Sequence, residues 1–383
     1  MNKEFDLMVY IGRFQPPHLA HIKIINKATF LAKRVIILVG SAEQPRTIEN
    51  PWTWQERKNM IEASLDSGVG ANIDIVPVRD IVYNNDAWLE QVQEIVMNHS
   101  AGGERIGIIG YTKDETSFYL KSFPQWKTVE VDIIDDLHAT DVRMAMFAGE
   151  NFTEEVGNKL PKGIHDYIKS FMLRPEYEKL VEEYQFQLYH DRMWDMDKMM
   201  DYFWEQEVIG AGYSREDEAL IDTIVNLMRT KYRVAPYKPY FNTVDVVVIQ
   251  SGHVLLVRRR AAPGKGLYAM PGGYLNHKEW SIDGALRELR EETKIKVPLP
   301  VLQGNIKDDM VFEHPKRSLR GRIITRTYII KLPDGELPKV KGSDDADKAK
   351  WIPLSVFKQM EDQMFEDHFH IINDMIAKLE RKR

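Results

Sequence analysis

Short apolar runs alternate with longer amphipathic stretches across the first half of the chain. The runs at 7–11, 35–39, 73–78, 106–109 and 129–134 are mostly apolar and rich in valine and isoleucine, the pattern of strands buried on both faces. Candidate helices lie between them, near 19–32, 54–66, 86–99 and 114–121, with another starting near Thr140 and a last one at 164–172. This alternation predicts an α/β domain, a Rossmann-like doubly wound parallel sheet with ligands at the carboxyl ends of its strands. From about 175 to 232 the sequence turns charged and aromatic with helical spacing, broken by Gly210 and Gly212, and reads as a helical connector. Its Met193, Met196, Met199 and Met200 read as core filler rather than soft-metal ligands. Past Pro236 and Pro239 come strand-like VDVVVIQ, a turn at Ser251 and Gly252, and strand-like HVLLVRR. One strong helix at 282–293, further strands including 323–331 and a closing helix from about Phe365 complete an α+β pattern. The expected division is 1–172, a connector at 173–237, and 238–383.

A chain of 383 residues exceeds one ordinary core, so two domains are expected. Hydrophobic residues at 43% and charged residues at 29% fit a folded protein. A net charge of -6 argues against nonspecific nucleic-acid binding, and the absence of cysteine excludes disulfides, thiol nucleophiles and thiolate metal sites. No signal segment is visible at the start, and no apolar run approaches the roughly 20 residues that span a bilayer. The expectation is a cytoplasmic protein without membrane or nucleic-acid partners; a homo-oligomer is compatible with the sequence.

Two segments carry chemistry. Residues 12–21, GRFQPPHLAH, leave the first strand and enter a helix, where backbone amides and the helix dipole favour an anion. His18 and His21, three apart, can both face one polyphosphate there and donate to charge building on it. An isolated pair at this spacing would be read as structural; its place on the turn reverses that. The second segment holds Glu288, Glu291 and Glu292 at i, i+3 and i+4, one face of a helix. Three crowded carboxylates call for a hard divalent cation, magnesium (Mg2+) or manganese (Mn2+).

Residues 12–21 closely resemble the GRFQPxHxGH motif of nucleotidyltransferases, especially nicotinamide mononucleotide (NMN) adenylyltransferases, with Ala20 where glycine is usual. Ala139-Thr140-Asp141-Val142-Arg143 resembles a variant of that family's second ATP-binding motif, with Thr140 read as a helix cap. The resemblance implies that Gly12, Arg13, Phe14, His18, His21, Gly110, Thr140 and Arg143 hold ATP, with His18, His21 and Arg143 catalytic. It also implies that Arg46, Asn85 and Trp88 hold NMN, Arg46 at its phosphate and Trp88 stacked on the pyridinium ring.

Gly273, Glu279 and residues 287–295 match the Nudix box G-x(5)-E-x(7)-R-E-U-x-E-E-x-G-U, except that Lys294 replaces the last glycine. The resemblance implies that Glu288, Glu291 and Glu292 bind metal, the last two catalytic, and that Arg287 and Glu279 brace the loop. A left-handed helix end costs lysine roughly 1 kcal/mol, so altered local geometry is expected there with the metal site intact. Gly272, Gly273, Arg320 and Asp345 are candidate substrate or base positions. For Asp344, Asp345 and Asp347 a general-base role and a solvated loop weigh equally; Arg317, Arg320 and Arg322 either grip phosphate or decorate a hairpin. Together the segments resemble the bifunctional NMN adenylyltransferase and Nudix ADP-ribose pyrophosphatase family, with ATP, NMN and ADP-ribose as substrates. The alternatives are an adenylyltransferase for another phosphate acceptor, such as phosphopantetheine or a flavin mononucleotide, and a Nudix domain that senses ADP-ribose without cleaving it.

Overall fold

The apolar runs of the first half become β1 (Phe5–Gly12), β2 (Ala32–Val39), β3 (Ile73–Pro77), β4 (Ile106–Gly110) and β5 (Lys127–Glu130). They pair in parallel in the order β3-β2-β1-β4-β5. The computed structural model describes residues 3–65, 72–111, 119–131, 138–149, 156, 160–194, 240–342 and 346–381. Around the sheet lie α1 (Leu19–Leu31), α2 (Trp54–Glu62), α3 (Asn85–Asn98), α4 (Ala139–Ala148) and α5 (Lys162–Phe171). Strand β1 shows why the sheet is covered on both sides. Leu7, Val9 and Ile11 pack with Val92 and Val96 of α3, while Met8 and Tyr10 pack with Ile22, Ile25 and Ala28 of α1. Alternate residues thus enter opposite cores, and burying each large apolar side chain contributes roughly 1.5–3 kcal/mol.

Several boundaries differ from the sequence reading. Helix α2 stops at Glu62 rather than 66, and β5 begins two residues before the apolar run. The helix expected at 114–121 falls mostly outside the described residues, as do 195–237 of the connector and the side chains of the methionine run. The described part of the connector is α6 (Pro175–Trp194). Its first turns pack on the N-terminal unit: Tyr177 Oη donates to the Met146 carbonyl at 2.6 Å and stacks on Phe147, and Leu180 is buried. That unit consequently extends through Val181. Tyr177 and Leu180, three apart, form the apolar face that joins the helix to it.

The second unit is built on β6 (Tyr240–Gln250), β7 (His253–Arg259), β8 (Tyr268–Ala269), β9 (Gly272–Tyr274), β10 (Ile306–Phe312), β11 (Arg322–Lys331) and β12 (Ala346–Pro353). The mixed sheet runs β10-β11-β6-β7-β12, with β8 on β7 and β9 on β6. Strands β6 and β7 turn at Ser251 and Gly252, both left-handed with φ of 46° and 70°, the two-residue hairpin turn that matches strand twist. The α-helices described beyond β6 are α7 (Ser281–Thr293), α8 (Leu299–Gly304), α9 (Leu354–Phe357) and α10 (His368–Arg381). Val244, Val246 and Val248 of β6 pack against Leu286 and Leu289 of α7. Among the described residues no helix is long and apolar enough to cross a membrane.

Lys294 caps α7 with φ 47° and ψ 30°, and its N–H donates to the Arg290 carbonyl at 3.0 Å. The expected change of local geometry does not occur, because that capping bond and the buried Thr293 and Ile295 on either side hold the glycine-like conformation. Lysine bears the strain instead. Lys294→Gly should therefore raise stability by roughly 1 kcal/mol, read as a higher melting temperature.

Candidate active sites

The first site forms at the carboxyl end of β1. Gly12 is favoured there, since a Cβ would lie 2.8 Å from the end of the Phe14 ring and force it to move. Phe14 itself is left-handed at φ 52° and sends its ring into the core, 5.3 Å from Tyr10 and 5.0 Å from His21. It shapes the loop from behind. Two buried arginines hold the loop by its carbonyls. Arg57 donates to the carbonyls of Arg13, Gly40 and Ser41, and Arg143 donates to that of Gln15. Burial pushes both guanidinium pKa values down to about 10, so both stay cationic at neutral pH. Gln15 in turn donates to the Trp52 carbonyl at 2.8 Å and accepts from the Trp52 N–H at 3.1 Å.

His18 precedes the first turn of α1, and its ring lies 3.7 Å from that of His21 at 38°. The His18 N–H donates to His21 Nδ1 at 3.2 Å, which leaves the proton of a neutral His21 on Nε2. Burial, reinforced by His18, holds the His21 pKa well below its ordinary value. The pair is thus brought together at the loop as expected.

Thr140 does not cap α4. His138 occupies the cap, and Thr140 sits in the first turn, exposed, where its hydroxyl accepts from Arg143 Nη2 at 3.2 Å. Gly110 closes β4, and Thr112, Lys113 and Asp114 beyond it lie outside the described residues. Arg46 forms a two-nitrogen pair with Glu56 at 2.7 and 3.0 Å and donates to the Pro51 carbonyl at 2.6 Å. Burial alone would raise the Glu56 carboxyl, but hydrogen bonds from Arg46 and Thr53 outweigh it and lower its pKa. Arg174 reaches the same carboxylate at 3.4 Å. Asn85 is exposed at the start of α3, and Trp88 lies half-buried one turn on, its ring 6.4 Å from that of Phe123.

The second site is a cleft of about 210 Å³ beside α7. On one wall Glu292 accepts from the Gly272 N–H at 3.0 Å, and burial pushes its carboxyl up to about 8, with Glu288 and Asp245 adding to the rise. A Cβ at Gly273 would lie 2.6 Å from the Glu288 carboxylate, so glycine there is required by close approach. Arg287 joins Glu279, Glu288 and Glu291 at 2.6, 2.7 and 3.1 Å. The bracing expected of Arg287 and Glu279 is therefore present, and Glu288 and Glu291 lean on the same guanidinium. Among the described residues no three carboxylate or imidazole groups converge closely enough to hold a metal. The donor chemistry nevertheless fits a hard cation: three carboxylates within two turns, one of them strongly desolvated and short of counter-charge.

The same cleft is also lined by cationic and aromatic side chains, Arg259, Arg317, Arg320, Tyr274 and Phe365, with Arg259 3.8 Å from the Phe365 ring centre. Arg322 points away and donates to the Glu313 carbonyl. Of the two open readings, phosphate grip fits the placement of Arg317 and Arg320, and hairpin decoration fits Arg322. Asp344 and Asp345 lie outside the described residues, as does the side chain of Asp347. Sequence reasoning missed Asp245, Asp367 and His368. Asp245 carried a signal, a lone charge within a buried strand. Burial pushes its carboxyl up to about 6 against the pull of Arg317 and Thr325.

Residues 9–145 match the Cytidylyltransferase-like family and residues 239–375 match the NUDIX domain family. Fold and sites together define an enzyme that joins a nucleotidyltransferase to a Nudix hydrolase. The nicotinamide/nicotinic acid mononucleotide adenylyltransferase of Acinetobacter baylyi is 37% identical over 185 residues, covering 48% of this chain and 96% of that protein. The bifunctional NMN adenylyltransferase/ADP ribose pyrophosphatase of Francisella tularensis is 32% identical with a TM-score of 0.81, covering 98% of this chain and 99% of that one. A structure of such an enzyme from the same organism with AMP and a manganese ion gives 31% and 0.80. The chain belongs to the family of bifunctional NMN adenylyltransferase/ADP ribose pyrophosphatases.

Proposed function

We propose that the N-terminal unit makes NAD from NMN and ATP, and that the C-terminal unit hydrolyses ADP-ribose to AMP and ribose 5-phosphate. The observation that carries this is the likeness to a bifunctional enzyme over 98% of the chain. In the first reaction a phosphate oxygen of NMN attacks the α-phosphorus of ATP, the bond to the bridging oxygen breaks, and pyrophosphate leaves. No protein nucleophile is needed; positioning and charge neutralisation suffice. His18 and His21 donate to the phosphate oxygens, Arg143 fixes the loop, and Arg46 and Trp88 receive the mononucleotide. In the second reaction a water oxygen bonds to one phosphorus of the diphosphate as the bond from that phosphorus to the bridging oxygen breaks, and AMP and ribose 5-phosphate leave with the water's protons shared between them and solvent. Glu288, Glu291 and Glu292 would hold magnesium or manganese, which neutralises phosphate charge and acidifies water when bound.

Mass spectrometry of the purified chain tests both halves. With magnesium or manganese, ATP plus NMN should give NAD and pyrophosphate, and ADP-ribose should give AMP. Activity with another phosphate acceptor but not NMN would overturn the first assignment. ADP-ribose bound but left intact would replace the hydrolase with a sensor.

A further inference from the structure

We infer that Arg317 is a diphosphate ligand of the C-terminal cleft and that Asp367 is its positioning residue, an inference that rests on the hydrolase reading above. Arg317 Nε and Nη2 donate to the two Asp367 carboxylate oxygens, each at 2.9 Å. The side chains are only 2% and 5% exposed, yet Arg317 lines the cleft. Two of the three guanidinium nitrogens are thus committed to Asp367; Asp245 and Glu366 lie within electrostatic reach, and among the described residues no hydrogen bond engages Nη1.

Packing alone gives such a pair little reason to exist. A buried ion pair is usually matched or bettered in stability by apolar side chains of the same volume, because both charges lose their hydration. Here Arg317 and Glu292 line the same cleft, and Asp367 fixes the guanidinium plane before any substrate arrives. A rigid planar cation of this kind suits a phosphate oxygen better than a mobile lysine does. The neighbouring Arg320 is placed differently. It is held by Glu366 at 3.3 Å and leans on the Phe365 and Tyr274 rings at 5.4 and 5.9 Å, a surface suited to a base or ribose. Nucleoside diphosphate derivatives, with two adjacent phosphates and a flat base, match both features.

The test is steady-state hydrolysis of ADP-ribose by the full chain, with melting curves for each variant. Arg317→Lys should raise KM by about tenfold or more and change kcat by less than about threefold, the signature of lost binding common to substrate and transition state. Asp367→Asn should raise KM in the same direction. An unchanged KM in Arg317→Lys overturns the proposal, whether kcat is kept or falls with the folded fraction as a purely structural role requires. Should that variant not fold, Arg317→Gln is read by the same criterion. Failure of the wild-type chain to hydrolyse ADP-ribose would instead defeat the hydrolase reading itself.

Discussion

His21→Ala and His18→Ala each lower kcat for NAD formation by about 10²–10³-fold, the usual loss when a donor to developing charge is removed, with much smaller changes in the KM for ATP and NMN. The expectation follows from how the rings are prepared. His21 accepts the His18 N–H on Nδ1 and so carries its proton on Nε2 while neutral. Burial and its neighbour hold its pKa well below the ordinary value, so donation does not depend on protonation near neutral pH. The pH profile of kcat should accordingly lack an inflection from His21 near 6.5. Steady-state assays of NAD production measure both quantities, and full turnover in either alanine variant would remove the histidines from the mechanism.

Glu292→Gln abolishes most release of AMP from ADP-ribose, by at least about 10²-fold, since loss of even an outer partner of a metal site costs 10–100-fold. Glutamine keeps an acceptor for the Gly272 N–H and nearly the same volume, so the loop should stay in place. It also removes a carboxylate that burial and the Glu288 and Asp245 charges oppose, so the metal-free variant should melt no lower than the parent. Manganese should raise the melting temperature of the parent and have less effect on the variant. NAD synthesis should be untouched. Retained AMP release would exclude Glu292 from the hydrolytic centre.

What was legible in the sequence was local. The parallel strands showed as short apolar runs, the histidine pair as a spacing on a strand-to-helix turn, and the carboxylate helix as a spaced motif. What escaped was set by contacts between distant residues. Arg143 reaches the Gln15 carbonyl across 128 positions, and Arg317 meets Asp367 across 50. No periodicity encodes a guanidinium beneath a backbone carbonyl. Thr140 was misplaced for a subtler reason: histidine is an uncommon cap, yet backbone direction put His138 at the helix boundary. Lys294 shows the reverse case, where context imposed a conformation that residue preference disfavours.

The reciprocal bonds between the Gln15 side chain and the Trp52 peptide tie the loop after β1 to the segment that leads into α2. That link is made as the protein folds, so a ligand bound at either segment would not bear the entropy of ordering it.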